Sequence, residues 1–172
     1  MITLQKIQEA QKRIAPFINY TPLIFSKYLS DNSKVKLKLE SLQITGSFKL
    51  RGAINKLLSL NKDQKQKGVI AVSTGNHGKG VAYAANILGI KSTIFMSSMV
   101  PQFRKEAIET LGAKVKIVGN NSDEADQYAR ELAKKENITL IHPFDDEEII
   151  AGQGTVGLEM LETFPEVDTV VI

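Results

Sequence analysis

Ile7, Ala10 and Ile14 fall on one face of a 3.6-residue repeat, Thr3 stands where an N-cap belongs and Pro16 closes the pattern, so a first helix is expected there. Thr21 to Ile24 reads as a short extended segment. Val35 to Glu40 (VKLKLE) alternates with period two and puts Val35, Leu37 and Leu39 on one face; both stretches are expected as strands near a sheet edge. From Ser47 the repeat is helical again, aligning Leu50, Ile54, Leu57 and Leu58. This helix should run to about Leu60, before a charged loop, NKDQKQKG.

A series of β-then-α units is then expected. Val69 to Val72 forms a short apolar strand that passes through STGNHGKG into a helix from Val81 to Leu88, closed by Gly89. Ser92 to Met96 is the next strand, and Pro101 opens a helix ending at Gly112. Lys114 to Val118 and Thr139 to Ile141 repeat the pattern around a helix from Ser122 to about Glu136, with Ser122-Asp123-Glu124 as cap and acidic first turn. Gly154 to about Thr163 should be helical, Pro165 breaks it, and Val167 to Ile172 has the composition of a buried parallel strand. The alternation predicts an α/β fold with a doubly wound parallel sheet covered by helices on both faces. Such folds present ligand groups just beyond the carboxyl ends of their strands, so a chain ending in the last strand is expected to be cut short.

Composition narrows the function classes. The 172 residues are 42% hydrophobic and 24% charged, in keeping with one ordinary folded domain or two small ones. Lys and Arg number 22 against 19 Asp and Glu, and the basic residues form no stripe with interleaved aromatics, so no nucleic acid is expected as partner. The absence of Cys excludes disulfides, thiolate nucleophiles and cysteine-ligated metals. The N-terminus lacks an apolar leader, and no apolar run approaches roughly 18 residues. A cytoplasmic protein without membrane contact is therefore expected. The acidic run Asp145 to Glu148 reads as a helix start, the two histidines stand far apart, and no metal site is expected.

Two constellations could carry chemistry. In SLQITGSFKLRGA, Lys49 follows a polar turn, Thr45-Gly46-Ser47, and falls in the first turn of a helix. Helix-dipole potential and partial desolvation there both disfavour the ammonium and leave the amine more nucleophilic. The plain alternatives are a solvated surface lysine and, for Phe48, a core residue. In STGNHGKG, Ser73 to Gly80, small and polar residues between strand and helix form either an anion-binding loop or a glycine-rich turn; the loop fits neither nucleotide-binding fingerprint. His77 could be a base, a carboxylate contact or a polar cap, His142 reads as structural, and Arg51 as the partner of a carboxylate.

Taken together, TGSFKLRGA, STGNHGKGVAYAA and the later AGQGTVGLEML (Ala151 to Leu161) closely resemble the threonine dehydratase and serine racemase family of pyridoxal-phosphate enzymes, across essentially the whole chain. The resemblance implies a tryptophan synthase beta-like fold of three αβα layers. It divides the chain into the start of a large domain (1–45), a small α/β domain (46–150) and the beginning of a return to the large domain (151–172). It implies pyridoxal 5'-phosphate as cofactor, Lys49 as the Schiff-base and catalytic residue, Phe48 packed beside the cofactor and Asn76 bonded to its 3-hydroxyl. Ser73, Thr74, Gly75, Asn76 and His77 would hold the substrate carboxylate. Thr74 takes the place where serine racemases carry a catalytic serine, so dehydration of L-threonine or L-serine ranks ahead of racemisation. Lys49-Leu50-Arg51 and Asn76-His77 differ from the cysteine synthase pattern. A dimer is the assembly implied. The family's phosphate-binding loop would lie beyond Ile172, so the isolated chain is expected to be inactive, acting at most as an interaction module.

Overall fold

The computed structural model describes residues 1–30 and 34–172. Helix α1 (Leu4–Ile14) starts at Thr3, whose side chain accepts from the Lys6 amide, and buries Ala10 and Ile14. Strands β1 (Leu23–Phe25) and β2 (Lys36–Lys38) pair antiparallel as a two-stranded ribbon. The alternation in β2 is present with its faces reversed from the usual sense: Leu37 is exposed, whereas the Lys38 side chain is buried on Glu159 and the Thr21 carbonyl. An ion pair, rather than apolar burial, decides which way this strand faces.

Helix α2 (Lys49–Ser59) buries Leu50, Ala53, Ile54 and Leu57. The stretch expected as a charged loop is a short helix, α3 (Lys62–Lys67). It is held by a capping box in which Asn61 and Gln64 satisfy each other's amides, a signal present in the sequence. β3 (Val69–Val72) leads into α4 (Asn76–Ile87), which begins five residues earlier than expected, because Gly78 and Gly80 lie inside the helix rather than in a loop. They permit close approach: a Cβ at Gly78 would meet Ile108 at 2.7 Å, and one at Gly80 would meet the Lys49 and Leu50 backbone at 3.2 Å. β4 (Ser92–Met96), α5 (Gln102–Glu109), β5 (Lys114–Ile117), α6 (Ser122–Glu136) and β6 (Thr139–Leu140) follow the expected order. The cap of α6 is Asn121, one residue before the expected Ser122. α7 (Glu147–Thr163) starts at the acidic run, capped by Asp146, as that run's reading as a helix start expected, and continues without a break through Gly154, where a separate helix start was expected.

The four-stranded sheet is parallel throughout, in the order β5-β4-β3-β6. Val69, Ala71, Ile94 and Met96 face the core shared by α1, α2, α4, α5 and α7, while Ile70 and Phe95 face Ala129 and Leu132 of α6. Helices thus cover both faces, the doubly wound αβα arrangement. The expected strand from Val167 to Ile172 is not formed: among the described residues no strand pairs with it, and Val170, Val171 and Ile172 are exposed. A parallel strand gains its hydrogen bonds only from a neighbour, so apolar composition alone does not make one. No helix among the described residues is long and apolar enough to cross a membrane.

Candidate functional site

Chain order along the sheet reverses at β3, which has β4 on one side and β6 on the other. In open parallel sheets the crevice at such a reversal, outside the carboxyl ends of the strands, is where ligands bind. Two segments emerge there: Ser73 to Asn76 after β3, and Ile141 to Asp145 after β6.

Lys49 opens α2 against the second of these segments. Its amide donates to Ser47 Oγ at 3.2 Å, and its Nζ donates to the Pro143 carbonyl at 2.8 Å. The Phe48 ring centroid lies 5.2 Å from Nζ. Among the described residues no carboxylate pairs with this amine, and burial pushes its pKa below the ordinary lysine value. A larger share of the amine is thereby neutral near pH 8 than for a solvated lysine.

The loop before α4 is organised by Ser73, whose Oγ accepts from the Gly75 amide at 3.2 Å and the Gly78 amide at 2.9 Å. The first amides of a helix have no intrahelical partner, and with those two taken, the Asn76 and His77 amides remain without a hydrogen-bond partner among the described residues. His77 turns inward. It is 5% exposed, its Nε2 lies 3.0 Å from the Ile141 carbonyl, and its Nδ1 is buried without a partner. Burial, reinforced by Lys49 and His142 and opposed by the bond to Ile141, pushes its pKa down to about 4.

Of the residues singled out from sequence, Lys49 and His77 are brought to one segment, Ile141 to Pro143, and Phe48 stands beside Lys49. Thr74, Gly75 and Asn76 line a cleft of about 370 Å³ on the α5 side, with Lys79, Phe103, Arg104 and Ile108. Arg104 donates to the Thr74 carbonyl at 3.3 Å, and no carboxylate lines this cleft. The cleft thus sets two cationic side chains beside the loop. Sequence reasoning missed Pro143, Lys79 and Arg104: the first acts through its backbone carbonyl, and the cations reach the loop only through the packing of α4 and α5. Arg51 does pair with carboxylates. Fully buried, it bonds Glu40 at 2.8 and 2.9 Å and Glu159 at 2.6 and 2.9 Å. Among the described residues no cluster of three or more His, Asp or Glu could hold a metal ion.

Residues 14–172 match the family described as pyridoxal-phosphate dependent enzyme. The chain is 49% identical, over its whole length, to a catabolic L-threonine dehydratase of Staphylococcus aureus, of which it covers 51%. The structure of maize serine racemase superposes with a TM-score of 0.92 at 34% identity, over 97% of this chain and 51% of that one. The structure of the T.th. threonine deaminase does so with a TM-score of 0.86 at 42% identity, over 98% and 54%. The chain thus spans about half the length of the curated relatives it matches.

Proposed function

This chain belongs to the family of pyridoxal-phosphate dependent enzymes, and from that premise we propose that the whole protein converts L-threonine or L-serine to a 2-oxo acid and ammonia. The observation that carries the reading is the Lys49 amine: partly desolvated, paired among the described residues with a carbonyl, and set at the carboxyl end of the sheet where its order reverses. A lysine so placed fits a carbonyl-bearing cofactor, because nucleophilic attack needs a neutral amine and a partner that releases it readily. Pyridoxal phosphate, when bound, supplies an electron sink for charge left by loss of the substrate α-proton.

In this reading Lys49 Nζ, which now donates to the Pro143 carbonyl, would hold the cofactor, and the same amine in its neutral form would be the base for the substrate α-proton. Phe48, whose ring lies beside Lys49 Nζ, would flank the cofactor, and Asn76 would supply a side-chain donor to its hydroxyl, as the resemblance implies. The substrate carboxylate meets the helix-start amides of Asn76 and His77 and the positive potential of Lys79 and Arg104, with Ser73 holding the turn through Gly75 and Gly78. The neutral His77 ring is bonded inward, so in this reading the residue serves the site through its backbone amide. Thr74 contributes a hydroxyl to the same cleft, and this together with the likeness to serine racemase favours racemisation as the second reading. A dimeric, cytoplasmic enzyme and the division at residues 45 and 150 belong to the same proposal, supported by the resemblance. In the whole protein, Lys49→Ala should abolish ammonia release from both amino acids; turnover near that of the parent overturns the reading.

A further inference from the structure

Lys49 takes its acceptor from the weakest element of the sheet. β6 is a two-residue edge strand, tied to β3 by the Val69–Thr139 and Ile70–Leu140 pairs and by the Ile141 amide on the Ile70 carbonyl at 2.8 Å. Past Ile141 no further ladder among the described residues holds it. The continuation is fixed by side chains instead: His142 Nδ1 accepts from the Asp145 amide at 2.8 Å, and Gln153 Nε2 reaches the Pro143 carbonyl at 3.4 Å. The Ile141 carbonyl, two residues before the one that seats Lys49, faces His77 Nε2.

A carbonyl can only accept, so His77 carries its proton on Nε2 and donates it to Ile141, leaving Nδ1 as a buried acceptor. A ring in that state gives an incoming carboxylate no side-chain donor. We propose that His77 is a positioning residue for Lys49: its Nε2–H anchors the end of β6, and the anchored segment presents the Pro143 carbonyl that orients the Lys49 amine. His77 thus connects the first turn of α4 to the first turn of α2 through three residues of backbone. The inference rests on Lys49 being the reactive amine but not on any cofactor chemistry.

The test uses the chain without cofactor. The pH dependence of Lys49 acylation by a limiting amine-selective reagent is read by peptide mass, with the other lysines as internal controls, beside hydrogen exchange over 141–145. His77→Phe keeps the ring volume and removes the donor; His77→Gln keeps a donor. The Phe variant is expected to move the Lys49 midpoint up toward 10.5, the ordinary lysine value, and to raise exchange over 141–145 several-fold, with the other lysines unmoved. The Gln variant is expected to retain the parent midpoint. A parent-like Lys49 midpoint in folded His77→Phe overturns the proposal. If the Phe variant does not fold, His77→Leu, which also removes the donor, decides: a Lys49 midpoint raised toward 10.5 beside the retained midpoint of the Gln variant upholds the anchor, and a parent-like midpoint in both overturns it. Loss of turnover in whole-protein Lys49→Ala bears on the proposed function alone, so the two failures are distinguishable.

Discussion

Gly152 of α7 lies where that helix crosses α2 in backbone contact. A Cβ added there would stand 2.6 Å from the Arg51 carbonyl oxygen, 2.7 Å from Gly52 Cα and 2.8 Å from Asn55 Cβ, where ordinary contact begins near 3.4 Å. None of the three is the far end of a flexible side chain, so the helices must separate. Overpacking of this kind costs about 1–3 kcal/mol and often more against backbone. The gain in helix propensity from Gly to Ala returns only about 0.5–1 kcal/mol. Gly152→Ala should therefore destabilise the chain by about 2 kcal/mol in urea unfolding, or by roughly 4–8 °C in Tm for a domain of this size. Gly157, one and a half turns along α7, supplies the control: its added Cβ meets nothing within 4 Å. Gly157→Ala should show the propensity gain alone, about 0.5–1 kcal/mol of stabilisation. A Gly152→Ala chain as stable as the parent would refute the account of the α2–α7 crossing, and with it the reason α2 holds Lys49 where it does.

Three other outcomes follow from the buried polar groups and the cleft. His77 is held neutral with its pKa near 4 against 6.5 when unfolded, so the unfolded chain binds the extra proton between those values. Stability from this residue is complete above pH 6.5 and falls on acidification toward pH 4 by an amount on the order of 3 kcal/mol, a slope that urea titrations should find missing in His77→Gln. Arg51→Met leaves Glu40 and Glu159 without their shared buried cation and should cost about 3–5 kcal/mol by the same assay, far more than loss of the half-exposed Arg13 to Glu148 pair, which should cost under about 1 kcal/mol. In the whole protein, Arg104→Gln should raise KM for threonine several-fold while leaving kcat nearly unchanged, since Arg104 adds potential at the cleft without touching Lys49; an unchanged KM in steady-state assays contradicts that role.

The parts of the fold legible in the sequence were those where local pattern and tertiary packing agree. The bounds of β4 and α6 follow directly from Ser92 to Met96 and Ser122 to Glu136. Departures occur where a residue type serves packing in place of its usual local role. Gly78 and Gly80 punctuate loops elsewhere, but here they let α4 approach Ile108 and the start of α2. Lys38 points inward because Glu159, more than a hundred residues away, waits for it, and no local alternation encodes that partner. Val167 to Ile172 has strand composition without a neighbouring strand among the described residues. In the site, the place of Lys49 in a helix first turn left a solvated surface lysine open and the Ser73 to His77 loop read equally as a glycine-rich turn; the resemblance of TGSFKLRGA and STGNHGKGVAYAA to the family is what singled them out. The Pro143 carbonyl leaves no trace in residue type, and the inward turn of His77 depends on β6 lying beside β3.

The direct measurement is competitive labelling by pyridoxal phosphate. Limiting cofactor is added to the chain near pH 8, trapped with borohydride, and the fractional modification of each lysine is read by peptide mass. Lys49, partly desolvated and without a carboxylate partner among the described residues, should be modified ahead of the exposed lysines, and excess phosphate should not abolish its lead. Modification of Lys49 no faster than that of solvated lysines such as Lys62 or Lys134 would contradict its assignment as the cofactor-bearing residue.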